Sequence, residues 1–194
     1  MDDLMQSIVA QLSGAPMAQL SNQLGTDDSA TQSAVQAALP MLLGALAKNS
    51  ASAGGADALA GALDRDHDGS ILDDLGGFLS GGAGSDGAAI LGHVLGNREQ
   101  TVEAGIGKAT GLQTGQAAKL LQMLAPVVLG YLGRQKKQQS MSSGMLGELL
   151  GTQSSRAQAQ NPAFSAITAL LDKDDDGSIV DELGGMLGSF LSGR

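Results

Sequence analysis

The sequence predicts an all-α fold, and three observations predict it. Apolar residues recur with helical spacing along most of the chain, no segment alternates with a period of two, and helix-starting polar residues stand ahead of the apolar runs. At 42% hydrophobic, the 194-residue chain has enough apolar side chain for a core, and with 2% aromatic that core must be built from Leu, Ala, Val, Ile and Met.

Met5, Ile8, Val9 and Leu12 share one helical face near the start of the chain. Thr26-Asp27-Asp28-Ser29 stands before Ala30, with side-chain oxygens able to accept the free N–H groups of a helix start, and Leu39, Leu42, Leu43 and Leu46 form the apolar face that follows. Pro40 lies inside that run and should kink the helix or divide it in two. Leu63 closes a helix ahead of an acidic loop, and Leu75 and Leu79 continue beyond it. Thr114-Gly115 before Gln116 is the next helix start, followed by Leu120, Leu121, Leu124, Val128, Leu129 and Leu132 on one face with Pro126 among them. Residues 135–162 are rich in Gln, Ser and Gly around one apolar island, Met145 to Leu150, and read as a flexible insertion holding a short helix.

The chain repeats itself. A shift of 86 positions lays Leu39-Pro40-Met41-Leu42-Leu43-Gly44 on Ala125-Pro126-Val127-Val128-Leu129-Gly130, and brings Gly25 to Gly111. A shift of 108 lays the acidic segment Leu63 to Gly77 on Leu171 to Gly185. The difference between the two shifts falls in the insertion. Two modules are expected, 1–83 with the first acidic loop and 84–194 with the insertion and the second, since a repeat this long is a duplicated small domain, not a solenoid unit.

The acidic loops carry the one sharp chemical signal. Asp64-x-Asp66-x-Asp68-Gly69-Ser70-Ile71 and Asp172-x-Asp174-x-Asp176-Gly177-Ser178-Ile179 follow the opening of an EF-hand-type calcium loop. Alternating carboxylates offer oxygens to a hard cation, the glycine at the sixth position allows the sharp turn, and the carbonyl of Ser70 or Ser178 falls at the seventh. Three alternating carboxylates repel one another, which favours a counter-ion over a plain turn. The twelfth position, where an EF-hand has a bidentate Glu, is Leu75 or Leu183, so Asp74 or Glu182 must close the loop a residue early, or Asp73 or Asp181 must reach the ion through water. Without a firm bidentate ligand the expected calcium affinity is weak, roughly 10⁻⁵ to 10⁻³ M. His67, fourth in its loop, is expected to face solvent.

Composition narrows the remaining functions. Net charge −9, a sequence pI of about 4.4 and few aromatic rings oppose nucleic-acid binding, and the absence of cysteine removes thiolate catalysis and sulfur-ligated metals. His67 and His93 are far apart in sequence, so no zinc site or histidine base is expected. Gly105-Ile106-Gly107-Lys108-Ala109 lacks the preceding strand and the Ser or Thr of a phosphate loop. Arg134-Gln135-Lys136-Lys137 is explained by the dipole of the helix it ends. No run approaches the roughly 20 apolar residues of a membrane span, and Met1-Asp2-Asp3 is not a signal-peptide start, which makes the expectation cytoplasmic, with export by a signal-independent route as the alternative.

The proline-centred apolar helix and the DxDxDGS-IxDxLGG segment together resemble a bacterial family defined as a domain of unknown function, number 937, over most of the chain. That resemblance implies a small helical bacterial protein with no assigned catalytic activity, and it supplies no active-site residues. The functional expectation from the loops themselves is a non-enzymatic calcium-binding protein, with metal-stabilised structure or protein–protein interaction as its role. The alternative is a self-assembling structural protein, extracellular and locked by calcium, its contacts made through apolar Gly-Leu surfaces such as Gly184 to Leu191.

Overall fold

The computed structural model describes residues 4–81 and 84–160. Among them every regular element is helical: α1 Leu4–Leu12, α2 Ala15–Leu24, α3 Asp28–Ala51, α4 Gly55–Asp66, α5 Leu75–Gly81, α6 Gly84–Val94, α7 Glu99–Thr110, α8 Thr114–Gln138 and α9 Ser143–Gln160, with 3-10 turns at Ser70–Asp74 and Gly96–Arg98. Residues up to Arg156 form one compact unit, and Ala157 onward belongs to a second. The second acidic loop and the Gly184 to Leu191 segment lie outside the described residues.

Two long helices make the centre. α8 packs against α2, α3, α4, α6 and α7, and α3 against α1, α2, α4, α6 and α7 as well. Between Met123 and Gly130 every residue of α8 is buried, as a helix surrounded by neighbours requires. Leu39, Leu42, Leu43, Leu120 and Leu121 are at most 1% exposed. Each such side chain contributes about 1.5–3 kcal/mol by leaving water. α3 has the length and mean hydropathy, 1.2, of a membrane span, and half of that window is buried inside the fold.

Both prolines sit within unbroken helices, so neither Pro40 nor Pro126 divides its run. Proline inside a helix costs about 3 kcal/mol. Both rings are buried, and their packing offsets that cost. Asp27 caps α3 as its position suggests, its Oδ1 accepting the Ala30 N–H at 2.8 Å and the Ser29 hydroxyl at 2.7 Å, contacts that hold its carboxyl below the usual carboxylate range. The cap of α8 is one residue earlier than Thr114: Gln113 and Gln116 form a reciprocal capping box.

Helix ends are tied to neighbouring helices. Gln116 Nε2 donates to the Leu24 carbonyl at 2.9 Å and Lys119 Nζ to the Gln23 carbonyl at 2.6 Å, which satisfies carbonyls at the end of α2. Asn49 Nδ2 does the same for α6, at 3.2 Å from the His93 carbonyl and 3.0 Å from that of Val94. The stretch read as a flexible insertion with a short helix is largely helical in its described part. α8 continues to Gln138, and after a turn α9 runs from Ser143 to Gln160, with Leu146 and Leu150 fully buried in the same core.

Candidate functional site

The first acidic loop begins in the last turn of α4. Asp64 and Asp66 are exposed there, Asp66 being the final helical residue, and the chain then turns at His67, Asp68 and Gly69 into the 3-10 turn that starts with Ser70. Gly69 has φ +96°, a left-handed conformation that an L side chain rarely adopts, which explains glycine at this position. Asp68 Oδ1 accepts the Ser70 N–H at 3.0 Å, and this bond, with the Ser70 hydroxyl, keeps its carboxyl below the usual range. Asp74 ends the turn by capping α5, its Oδ1 accepting the Gly77 N–H at 2.9 Å.

The loop lies on the C-terminal part of α8. A methyl group on Gly133 would collide with the His67 carbonyl, one on Gly130 would collide with Ile71 Cγ2, and one on Gly69 would come 2.7 Å from Arg134 Cβ. The two helical glycines therefore open a trough into which loop backbone settles. His67 is half-buried there, not solvent-facing, and desolvation pushes its pKa down against the pull of Asp66 and Asp86.

Cations of α8 meet the loop carboxylates. Lys136 Nζ is 2.6 Å from Asp64 Oδ1, Lys137 Nζ is 3.8 Å from Asp68 Oδ2, and Arg134 Nη2 pairs with Asp73 Oδ1 while donating to the Gly69 carbonyl at 2.6 Å. Asp66 pairs with its neighbour Arg65, at 3.9 Å. Among the expected metal ligands, then, Asp64, Asp66, Asp68, Ser70 and Asp74 share one loop, with Asp64 and Asp68 paired to α8 lysines and Asp74 engaged in the α5 cap. No group of three His, Cys, Asp or Glu side chains among the described residues is gathered as around an ion. Asp172, Asp174, Asp176, Ser178 and Glu182 lie outside the described residues.

Sequence reasoning missed Gly130 and Gly133, and it assigned Arg134, Lys136 and Lys137 to the helix dipole alone. A pair of glycines one turn apart on an otherwise Leu- and Val-rich helix is the signal that could have marked a docking trough there. The helix dipole does favour cations at this end. Their side chains nonetheless go to specific carboxylates more than 60 residues away in the chain.

No curated protein and no solved structure matches the chain. A model of a bacterial protein family of unknown function, DUF937, matches residues 6–135, a span that includes the first acidic loop and the α8 trough. The chain thus belongs to the DUF937 family of bacterial proteins.

Proposed function

We propose that this chain is a non-enzymatic, low-affinity calcium-binding protein built from two copies of a helical module, each with an EF-hand-like acidic loop. The observation that carries the calcium reading is the backbone of the first loop. Three alternating aspartates lead into a left-handed glycine at the sixth position, with the fifth-position carboxylate bonded to the seventh N–H, between one helix that ends and another that begins. Asp64, Asp66, Asp68 and the Ser70 carbonyl are the oxygens offered, and Asp74 would have to leave the α5 cap to close the loop. In the second loop, Asp172, Asp174, Asp176, Ser178 and Glu182 take the same roles by register.

Matching helices support the duplication. At the shift of 86 found in sequence, the cap glycines Gly25 and Gly111 are both left-handed, at φ +67° and +77°, Asp27 and Gln113 both cap the following helix, and Pro40 and Pro126 occupy equivalent places in α3 and α8. A non-enzymatic role follows from the ion: a calcium enclosed by six or more protein oxygens offers no open position to a substrate.

Isothermal titration of chelator-treated protein tests the reading. Calcium heat with an affinity of roughly 10⁻⁵ to 10⁻³ M, diminished by Asp66→Ala and again by Asp174→Ala, is the expected result. Absence of calcium heat up to millimolar concentration would overturn it.

A further inference from the structure

We propose that Arg134, Lys136 and Lys137 are a built-in competitor for calcium: the end of α8 supplies the counter-charge of the first loop and must be displaced from the carboxylates when the ion binds. This rests on the calcium reading above and assigns its regulation.

The geometry argues for a dedicated contact. Three cations from one helix end engage Asp73, Asp64 and Asp68, at the tenth, first and fifth loop positions. Lys136 keeps only 14% of its side chain exposed, so its ammonium is delivered along the helix surface and does not simply wave in solvent. Gly130 and Gly133 remove the side chains that would hold the loop off, and the Arg134 guanidinium fixes the turn itself through the Gly69 carbonyl. Two of these carboxylates, Asp64 and Asp68, are the ones a calcium ion would need. Carboxylate oxygens turned to Lys136 and Lys137 cannot at the same time converge on an ion, and three nearby positive charges also repel it.

Displacement is feasible because Asp73 and Asp64 are mostly exposed and Asp68 about half exposed, and exposed pairs are individually weak. Calcium capture would therefore release Arg134 and Lys136, the partly covered cations of this helix end, from their carboxylates. The consequence is a coupling between two places on the molecule, in which whatever weakens the α8 contact tightens calcium, and calcium loosens α8.

The test is a calcium titration of the full chain against the triple variant Arg134→Gln/Lys136→Gln/Lys137→Gln and the single variant Lys136→Gln, with the single variant deciding if the triple does not fold. The triple variant should bind calcium about tenfold more tightly, the worth of two or three exposed ion pairs, and the single variant two- to threefold. Lys119→Gln, which removes the same charge from the other end of α8, should leave the affinity unchanged and so separates contact from general electrostatics. In calcium-free protein, Lys136→Gln should lower the urea midpoint, but not when Asp64→Asn is already present. Wild-type binding with no tightening in Lys136→Gln, or tightening matched by Lys119→Gln, overturns the competition while leaving the calcium reading intact. Calcium heat absent from wild type and variants alike overturns both.

Discussion

Gly133 is a place where two physical rules give opposite signs. It lies well inside α8, where replacing glycine by alanine ordinarily stabilises a helix by up to about 1 kcal/mol. Yet the alanine methyl would occupy the space of the His67 carbonyl, a backbone atom with no flexible side chain to move aside. Lifting the loop from the trough would also strain the ion pairs that run from α8 to Asp64 and Asp68. We expect Gly133→Ala to destabilise the protein by about 1–3 kcal/mol, as overpacking does. Gly92→Ala, on an exposed position of α6 with open space around it, should stabilise by up to about 1 kcal/mol. Urea denaturation of the two variants reads both. Equal stabilisation at the two sites would mean that the loop does not rest on α8.

At the level of whole elements, the helices with a strong 3.6-residue period were legible, and what those helices do to one another was not. α3 and α8 are announced by Leu39, Leu42, Leu43 and Leu46 and by Leu120, Leu121 and Leu124, because burying one continuous face is a local property of the sequence. α9 was read as a short helix around Met145 to Leu150 and its full length escaped, because only Leu146, Leu149 and Leu150 mark its buried side and the Gln, Ser and Gly around them read as linker. The ion pairs of the acidic loop escaped for another reason. Asp64 and Lys136 are joined by the path of α4 across α8, and no local pattern encodes that crossing. The loop's sharp turn, by contrast, was legible, since the sixth-position glycine that adopts the left-handed conformation at Gly69 is a local signal.

α7 adds a case that composition hides. Packed against α3 and α8, it buries Glu103 to 8% exposure, and no described residue gives its carboxyl a hydrogen bond or ion pair. Desolvation, and then the neighbouring Glu99, raises its pKa above the ordinary glutamate value. Between that ordinary value and the raised one, the folded chain holds a proton that the unfolded chain has released. Stability from this group is thus complete below about pH 4 and declines as pH rises through the raised value. Glu103→Gln removes the titration, so the variant should gain on wild type in urea midpoint from pH 4 to pH 7. A constant gap across that range would show that Glu103 ionises in the folded protein as freely as in the unfolded one.

For the molecule as a whole, the question is whether its charge of −9 acts as a diffuse field or as two local sites. Eleven of the 20 acids stand in the two loops, which makes each loop a concentrated demand for cations. A diffuse field responds to ionic strength alone: added salt of any kind screens the repulsion, and the melting temperature rises without regard to ion identity. A site responds to the ion that fits. With a dissociation constant near 10⁻⁴ M, 10 mM calcium would stabilise the folded state by about 2.7 kcal/mol per site. For a chain of this length that is roughly 5–10 °C per occupied loop. The discriminating measurement holds ionic strength fixed with sodium chloride and varies calcium alone. Calcium should then raise the melting temperature by that margin, magnesium at the same concentration by much less because it sheds water reluctantly and demands a tighter octahedron. Asp68→Ala should remove the first loop's share and Asp176→Ala the second's. Identical melting curves with calcium and with matched sodium chloride would return the acidity to a bulk property, with the α8 cations and Arg65 as counter-ions of the first loop.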